Sequence, residues 1–220
     1  MLIRPSAAQL ATVVPTADDP FVVQDYLPGE EICAYGVAVN GVLCAFAAYR
    51  PTYRAGRGAG IAFEPVTDAA ARGLAAAYAE ETRWTGQLSF DFRRDAGGGL
   101  HALECNPRAT SGLHFFAPDD GLVEAILTGI PATPTDLRPM TLPLAMLCYG
   151  LPSAIKSHTL PRLWGDFRTM GNILAFPGDT SLPGAQLLAL AEIAGIALRT
   201  GKTLQQAATD DIEWNGEALG

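Results

Sequence analysis

Residues 87–106 read QLSFDFRRDAGGGLHALECN, and the fold of the chain turns on how that stretch is built. Apolar and polar residues alternate along its first half: Leu88, Phe90 and Phe92 fall on one side of an extended chain, and Ser89, Asp91 and Arg93 on the other. Gly97, Gly98 and Gly99 supply a turn, and LHALECN returns as a partner strand. By strict alternation Leu100, Ala102, Glu104 and Asn106 share a face of it. The pattern predicts an antiparallel hairpin with an apolar face toward a core and a polar face that gathers Asp91, Glu104 and Asn106. The register stays open, because a three-glycine turn can be closed in several ways. The returning strand ends in Glu104, Cys105, Asn106, Pro107 and Arg108, so that a carboxylate, a carboxamide and a guanidinium crowd where bland turn residues would suffice.

Upstream, FVVQDYL (21–27) is a β-type run, PGE a turn, and EICAYGVAVNGVLCAFAAYRP (31–51) two further strands around Asn40-Gly41. That dipeptide is a strong hairpin signal, since a type I′ turn needs positive φ at both positions. A glycine-rich loop, RAGRGAG, leads into a short strand, and Thr67 or Asp68 caps an alanine-rich helix that runs to about Trp84. Beyond Pro118, DGLVEAILTGI, LPLAMLCYGL and LPGAQLLALAEIAGIALRTG read as helices separated by prolines. The chain therefore divides into residues 1–118, an α+β lobe built on an antiparallel sheet, and residues 119–220, a helical C-terminal region. GIALRTGKT (195–203) spaces its glycines wrongly for a phosphate loop and follows a helical pattern; Gly201 is read as a helix C-cap.

The totals narrow the function classes. Across 220 residues the formal net charge is -8, which disfavours nucleic acid or an anionic membrane as a partner, because both recruit basic surfaces. No apolar run approaches the roughly 20 residues of a membrane span. The opening MLIRPSAAQL lacks the regions of a signal peptide, so a cytoplasmic location is expected. The cysteines at 33, 44, 105 and 148 form no CxxC pair, which points to small buried thiols rather than a zinc site or a disulfide framework.

Asp91, Glu104 and Asn106 are all oxygen donors of the kind that suit Mg²⁺, which proteins hold through one or two carboxylates plus substrate phosphates. Arg108 beside them offers a planar fork that matches a phosphate or acyl phosphate. From spacing alone the same residues equally describe a solvated polar face. Arg50, Arg54 and Arg57 surround the glycines of the 50–60 loop, where an exposed basic loop and a contact to an anionic substrate are both open.

FDF followed, after a glycine turn, by LECNPR resembles the metal-binding strand pair of the ATP-grasp superfamily, and VVQDYLPGEEICAYGV resembles that family's adenine hinge and ribose segment. The resemblance covers roughly residues 21 to 116 and implies roles residue by residue. Gln24, Asp25, Tyr26 and Leu27 would form the hinge, Leu27 offering its backbone to adenine, and Glu31 would take the ribose hydroxyls. Asp91, Glu104 and Asn106 would hold Mg²⁺, with Mn²⁺ as the alternative metal. In several members the first ligand aligns with Ser89; charge favours Asp91. Arg108 stands where related ligases place an Arg near the transferred phosphoryl group, and Arg54 and Arg57 are candidate contacts to an acyl phosphate or carboxylate.

Two departures accompany the match. Gln24 replaces the usual hinge acid, and the family's upstream phosphate lysine and glycine-rich lid have no counterpart before residue 21. The expectation is an ATP-grasp lobe incomplete on its N-terminal side, either cut from a larger enzyme or completed by self-association or a companion subunit. The complete enzyme would be an ATP-dependent carboxylate–amine ligase acting on small molecules through an acyl phosphate. The alternative is a noncatalytic module that binds nucleotide or a partner.

Overall fold

Asn40 and Gly41 have φ of 50° and 85°, the left-handed pair that a tight hairpin requires. They join β1 (Glu30–Val39) to β2 (Val42–Arg54), whose facing residues run from Val39 opposite Val42 to Cys33 opposite Tyr49. The computed structural model describes residues 5–18, 20–55, 60–175 and 182–209. A short helix, α1 (Ala7–Leu10), opens it. β3 (Gly60–Val66) follows β2, and α2 (Ala69–Thr82) follows β3. Asp68 caps α2, its side chain accepting from the Ala71 N–H, and left-handed Arg83 ends it.

β4 (Gly86–Arg94) and β5 (Leu100–Asn106) complete the predicted hairpin. Two short strands from beyond residue 118, β6 (Met140–Thr141) and β7 (Gly171–Asn172), join the same sheet, whose order is β5-β4-β1-β2-β3-β6-β7. All pairings are antiparallel except that of β6 with β7. The remaining elements are helical: α3 (Leu122–Thr128), α4 (Pro143–Ala145) passing through a π turn at Met146–Gly150 into α5 (Leu151–Lys156), α6 (Leu160–Thr169), α7 (Leu182–Thr200) and α8 (Leu204–Thr209). Gly201, at φ 69°, ends α7 as the sequence predicts. Among the described residues no helix is long and apolar enough to cross a membrane.

Each face of the sheet has its own cover. On one, Ile32, Ala34, Phe46, Leu88, Phe90 and Phe92 pack against Ala71, Ala75 and Ala79 of α2, whose small side chains let the helix lie close. On the other, Tyr35, Val37, Ala47, Tyr49 and Phe63 pack against Phe115, Phe116, Ala125 and Met140. Gly112, in the 3-10 turn Ser111–Phe115, makes this second packing tight: a Cβ there would stand 2.5 Å from that of Tyr35.

Two sequence expectations are corrected. Residues 21–27 form no strand, and Val22 and Val23 are 87% and 94% exposed. A β-rich composition reports fitness for a half-buried pleated surface, and both sides of β1 are already occupied by β2 and β4. Second, Leu100, Ala102, Glu104 and Asn106 do not share a face. Phe92 faces Ala102 while Asp91 faces Glu104, which leaves Leu103 as an extra residue in β5. Such a bulge reverses the parity of everything beyond it. Leu100 thus packs on the α2 side, and Glu104 and Asn106 turn to the opposite side.

Phe92→Ala is expected to lower the unfolding free energy by about 3–5 kcal/mol, the usual cost of deleting a fully buried ring. Val23→Ala is expected to stay within about 0.5 kcal/mol, as surface changes do; urea denaturation of both variants measures the contrast.

Candidate functional site

The face of β4 turned away from α2 carries Ser89, Asp91 and Arg93, and the strand pairings place a partner beside each. Along one row across the sheet, Arg93 stands opposite His101 of β5 and opposite Glu31 of β1. Along the next, Asp91 stands between Glu104 and Cys33, with Tyr49 beyond. Along the third, Ser89 stands between Asn106 and Tyr35. Residues two apart on a strand are separated by about 7 Å, so the rows together form a patch the size of a small anionic ligand and its counter-ion.

Charge in the middle row is crowded. Burial pushes the Asp91 carboxyl up from its ordinary range, and the nearby Glu104 and Glu31 charges push the same way. A hydrogen bond with Cys33 and the charge of Arg54 oppose them. Burial likewise raises the Cys33 thiol, with the negative charges of Asp91 and Glu31 adding to it, so this cysteine is a neutral donor between two acids rather than a nucleophile. Glu104 itself is exposed.

In the third row, Ser89 is 2% exposed and its hydroxyl donates to the Arg108 carbonyl at 2.8 Å, with Thr110 Oγ1 at 3.0 Å. The Tyr49 hydroxyl donates to Thr110 at 3.3 Å. These bonds fasten the turn after β5 across the sheet and occupy Ser89, whereas Asp91 faces another carboxylate.

The other residues singled out by sequence are placed as follows. Arg108 is exposed, its guanidinium donating to the Ala109 carbonyl at 3.2 Å. Arg54 forms a close ion pair with Glu31. Arg57 lies outside the described residues. Gln24, Asp25 and Tyr26 are exposed and Leu27 is half-buried, in a segment without strand structure. Its far end is fixed: Gly29, at φ 150°, sits where a Cβ would be 2.0 Å from the Arg94 carbonyl oxygen, and its own carbonyl accepts from Arg93 at 3.0 Å.

Glu31, which the resemblance assigns to the ribose hydroxyls, is engaged by two guanidiniums: besides Arg54, Arg93 Nη2 approaches it at 3.8 Å. Arg93 lies on the same face as Asp91, and sequence reading did not single it out. Its place in the alternation with Asp91 was the available signal.

Two carboxylates and a carboxamide on one face, with the acids directly opposed, fit a hard divalent cation by donor chemistry. A cation would also relieve the like-charge crowding that raises Asp91. Among the described residues no group of three or more His, Cys, Asp or Glu side chains forms a metal cluster.

Because the folded state holds a proton on Asp91 more tightly than the unfolded chain does, Asp91 destabilises the fold above its raised pKa, and that penalty fades as pH falls. Asp91→Asn is therefore expected to melt at a higher temperature than the parent at pH 7, with the difference shrinking toward pH 4. Thermal melts of both proteins across that range, without divalent cations, measure it.

No protein-family model and no curated protein matches the sequence. Among solved structures, the chain is similar to an N5-carboxyaminoimidazole synthetase from Staphylococcus aureus complexed with ADP, at 17% identity and a TM-score of 0.43, over 61% of this chain and 40% of that one. It is similar to a phosphoribosylaminoimidazole carboxylase ATPase subunit from Aquifex aeolicus at 20% identity and 0.40, over 55% and 38%. An L-amino acid ligase from Bacillus licheniformis matches at 12% and 0.29, over 40% and 24%. The chain thus spans about two-fifths or less of the length of these proteins. They are members of the ATP-grasp family that the hinge and metal-strand motifs resemble, and the likeness is one of partial fold.

Proposed function

We propose that this chain is the nucleotide- and metal-binding part of a cytoplasmic ATP-dependent carboxylate–amine ligase of the ATP-grasp kind. The observation that carries the reading is the opposition of Asp91 and Glu104 on adjacent strands, with Asn106 on the same face. Asp91, Glu104 and Asn106 would hold Mg²⁺ or Mn²⁺, which when bound supplies positive charge to the phosphates.

The reaction class is phosphorylation of a small carboxylate by ATP, followed by displacement of phosphate from the acyl phosphate by an amine. In that scheme Arg108, exposed beyond the last strand, swings its guanidinium from the Ala109 carbonyl to the transferring phosphoryl group and stabilises charge as it develops. The 24–27 segment supplies the adenine contacts, anchored through Gly29 to β4. Arg54, at the end of β2, and Arg57 would meet the carboxylate or its phosphorylated form. Catalysis of this type is positioning and electrostatics.

A second reading, a noncatalytic nucleotide-binding or partner-binding module, is favoured by a different observation. Glu31 is committed to arginines rather than free for a ribose. The two readings part on turnover: a ligase part completed by self-association or a companion subunit hydrolyses or transfers the terminal phosphate of ATP, and a module does not.

Calorimetric titration with ATP and ADP, with and without Mg²⁺, is expected to show magnesium-dependent binding. Glu104→Gln is expected to weaken it by about tenfold or more, the scale of losing one charged ligand contact. Binding that is absent in the parent, or indifferent to Glu104, would remove the nucleotide–metal reading.

A further inference from the structure

We infer that the hollow between the start of α2 and the 133–137 segment is a second ligand site, which takes a small apolar monocarboxylate through Arg72. The inference does not rest on the nucleotide reading, because Asp91, Glu104 and Asn106 are absent from the lining of this hollow.

The hollow follows from unequal strands. β2 begins at Val42, but β3 ends at Val66, opposite Ala48. Among the described residues, the β2 edge is next met at Ala45, by Ala132, whose N–H donates to the Cys44 carbonyl at 2.9 Å. Between these two contacts lies a cavity of about 420 Å³, within the roughly 300–1,000 Å³ of small-molecule sites. Phe46, Pro65, Val66, Phe115, Pro134 and Leu137 give it apolar walls.

Two charged side chains, Asp68 and Arg72, join that lining, and they are in opposite states. Asp68 accepts from Arg94 at 2.5 Å and from the Ala71 N–H at 3.0 Å, so its charge is answered within the fold. The Arg72 guanidinium has no ion-pair or hydrogen-bond partner among the described residues. It lies over the Phe46 ring, 5.8 Å from the centroid. That stacking uses the flat face of the guanidinium and leaves its N–H donors unspent.

Arg72 also stands near the N-terminal end of α2, where the helix dipole opposes a cation, and the first turn holds no acidic residue. An unanswered cation against an aromatic wall is a local conflict that a bound anion resolves.

The same lining selects the ligand. Apolar walls favour a compact aromatic or aliphatic body. One guanidinium neutralises one negative charge, and Asp68 in the same lining repels a second, so a monocarboxylate fits where a phosphate dianion does not.

Isothermal titration with phenylacetate tests the assignment, with phenylacetamide as the neutral probe of nearly the same shape. The parent is expected to bind phenylacetate and to bind the amide about tenfold more weakly or not at all. Arg72→Gln is expected to lose about tenfold in phenylacetate affinity. Ala69→Trp, at an exposed position of the lining, is expected to lose a similar amount by filling the hollow without disturbing a buried side chain.

Absence of phenylacetate binding in the parent, equal binding of the amide, or an unchanged affinity in either variant would each overturn the inference. Mg·ATP titration of Arg72→Gln is expected to match the parent, and a parallel loss would place Arg72 in the nucleotide site and overturn it too. If the parent binds phenylacetate through Arg72 but not Mg·ATP, the nucleotide reading fails and this assignment stands.

Discussion

One extra residue in an edge strand governs the chemistry of this protein. Leu103 has no partner in β4, and the bulge it makes sends Glu104 and Asn106 to the face occupied by Asp91 and Ser89. Without it, alternation counted from Leu100, which packs toward α2, would send Glu104 into that apolar layer and Leu103 to the polar patch. A carboxylate facing the α2 side would be desolvated beside Phe90 and Phe92 with no charge to answer it. The bulge thus reconciles two demands of one short strand: an apolar start that helps to seal the α2 layer, and an acidic end that faces away from it.

The polar face that results is electrostatically unsettled. Burial and neighbouring acids hold the Asp91 carboxyl above its usual range, and the Cys33 thiol donates into the same cluster. The charge of Arg54 opposes that rise, although Arg54 and Arg93 also engage Glu31. A protein interior tolerates such spacing poorly unless something rewards it. Here the unsettled groups lie beside a turn fastened by Ser89, Thr110 and Tyr49.

The elements behind this face are built for stiffness. α2 presents alanines at Ala71, Ala75 and Ala79, bringing its axis close to the aromatic ladder of β4. On the far side Gly112 lets the 3-10 turn touch Tyr35. The hinge segment contrasts with them: Val22, Val23 and Tyr26 are exposed, and firm anchorage begins only at Gly29. The segment proposed to meet adenine therefore has apolar surface to bury when a ligand arrives.

Much of this was legible locally. Asn40-Gly41 determined the first hairpin because few residue pairs accept positive φ twice, and Thr67-Asp68 marked the start of α2 because a short oxygen-bearing side chain satisfies free helix N–H groups, the structure selecting Asp68. The period-two run from Leu88 to Arg93 assigned β4 its two faces, and the residue types at 91, 104, 106 and 108 determined the chemistry on offer. Tertiary structure decided the rest. Leu103 bears no local mark of a bulge; it becomes one because the β4–β5 pairing must satisfy a core on one side and charge on the other. Likewise Glu31, Arg54 and Arg93 come together from β1, β2 and β4 only through strand order, and sequence spacing carries no record of which strands will lie side by side.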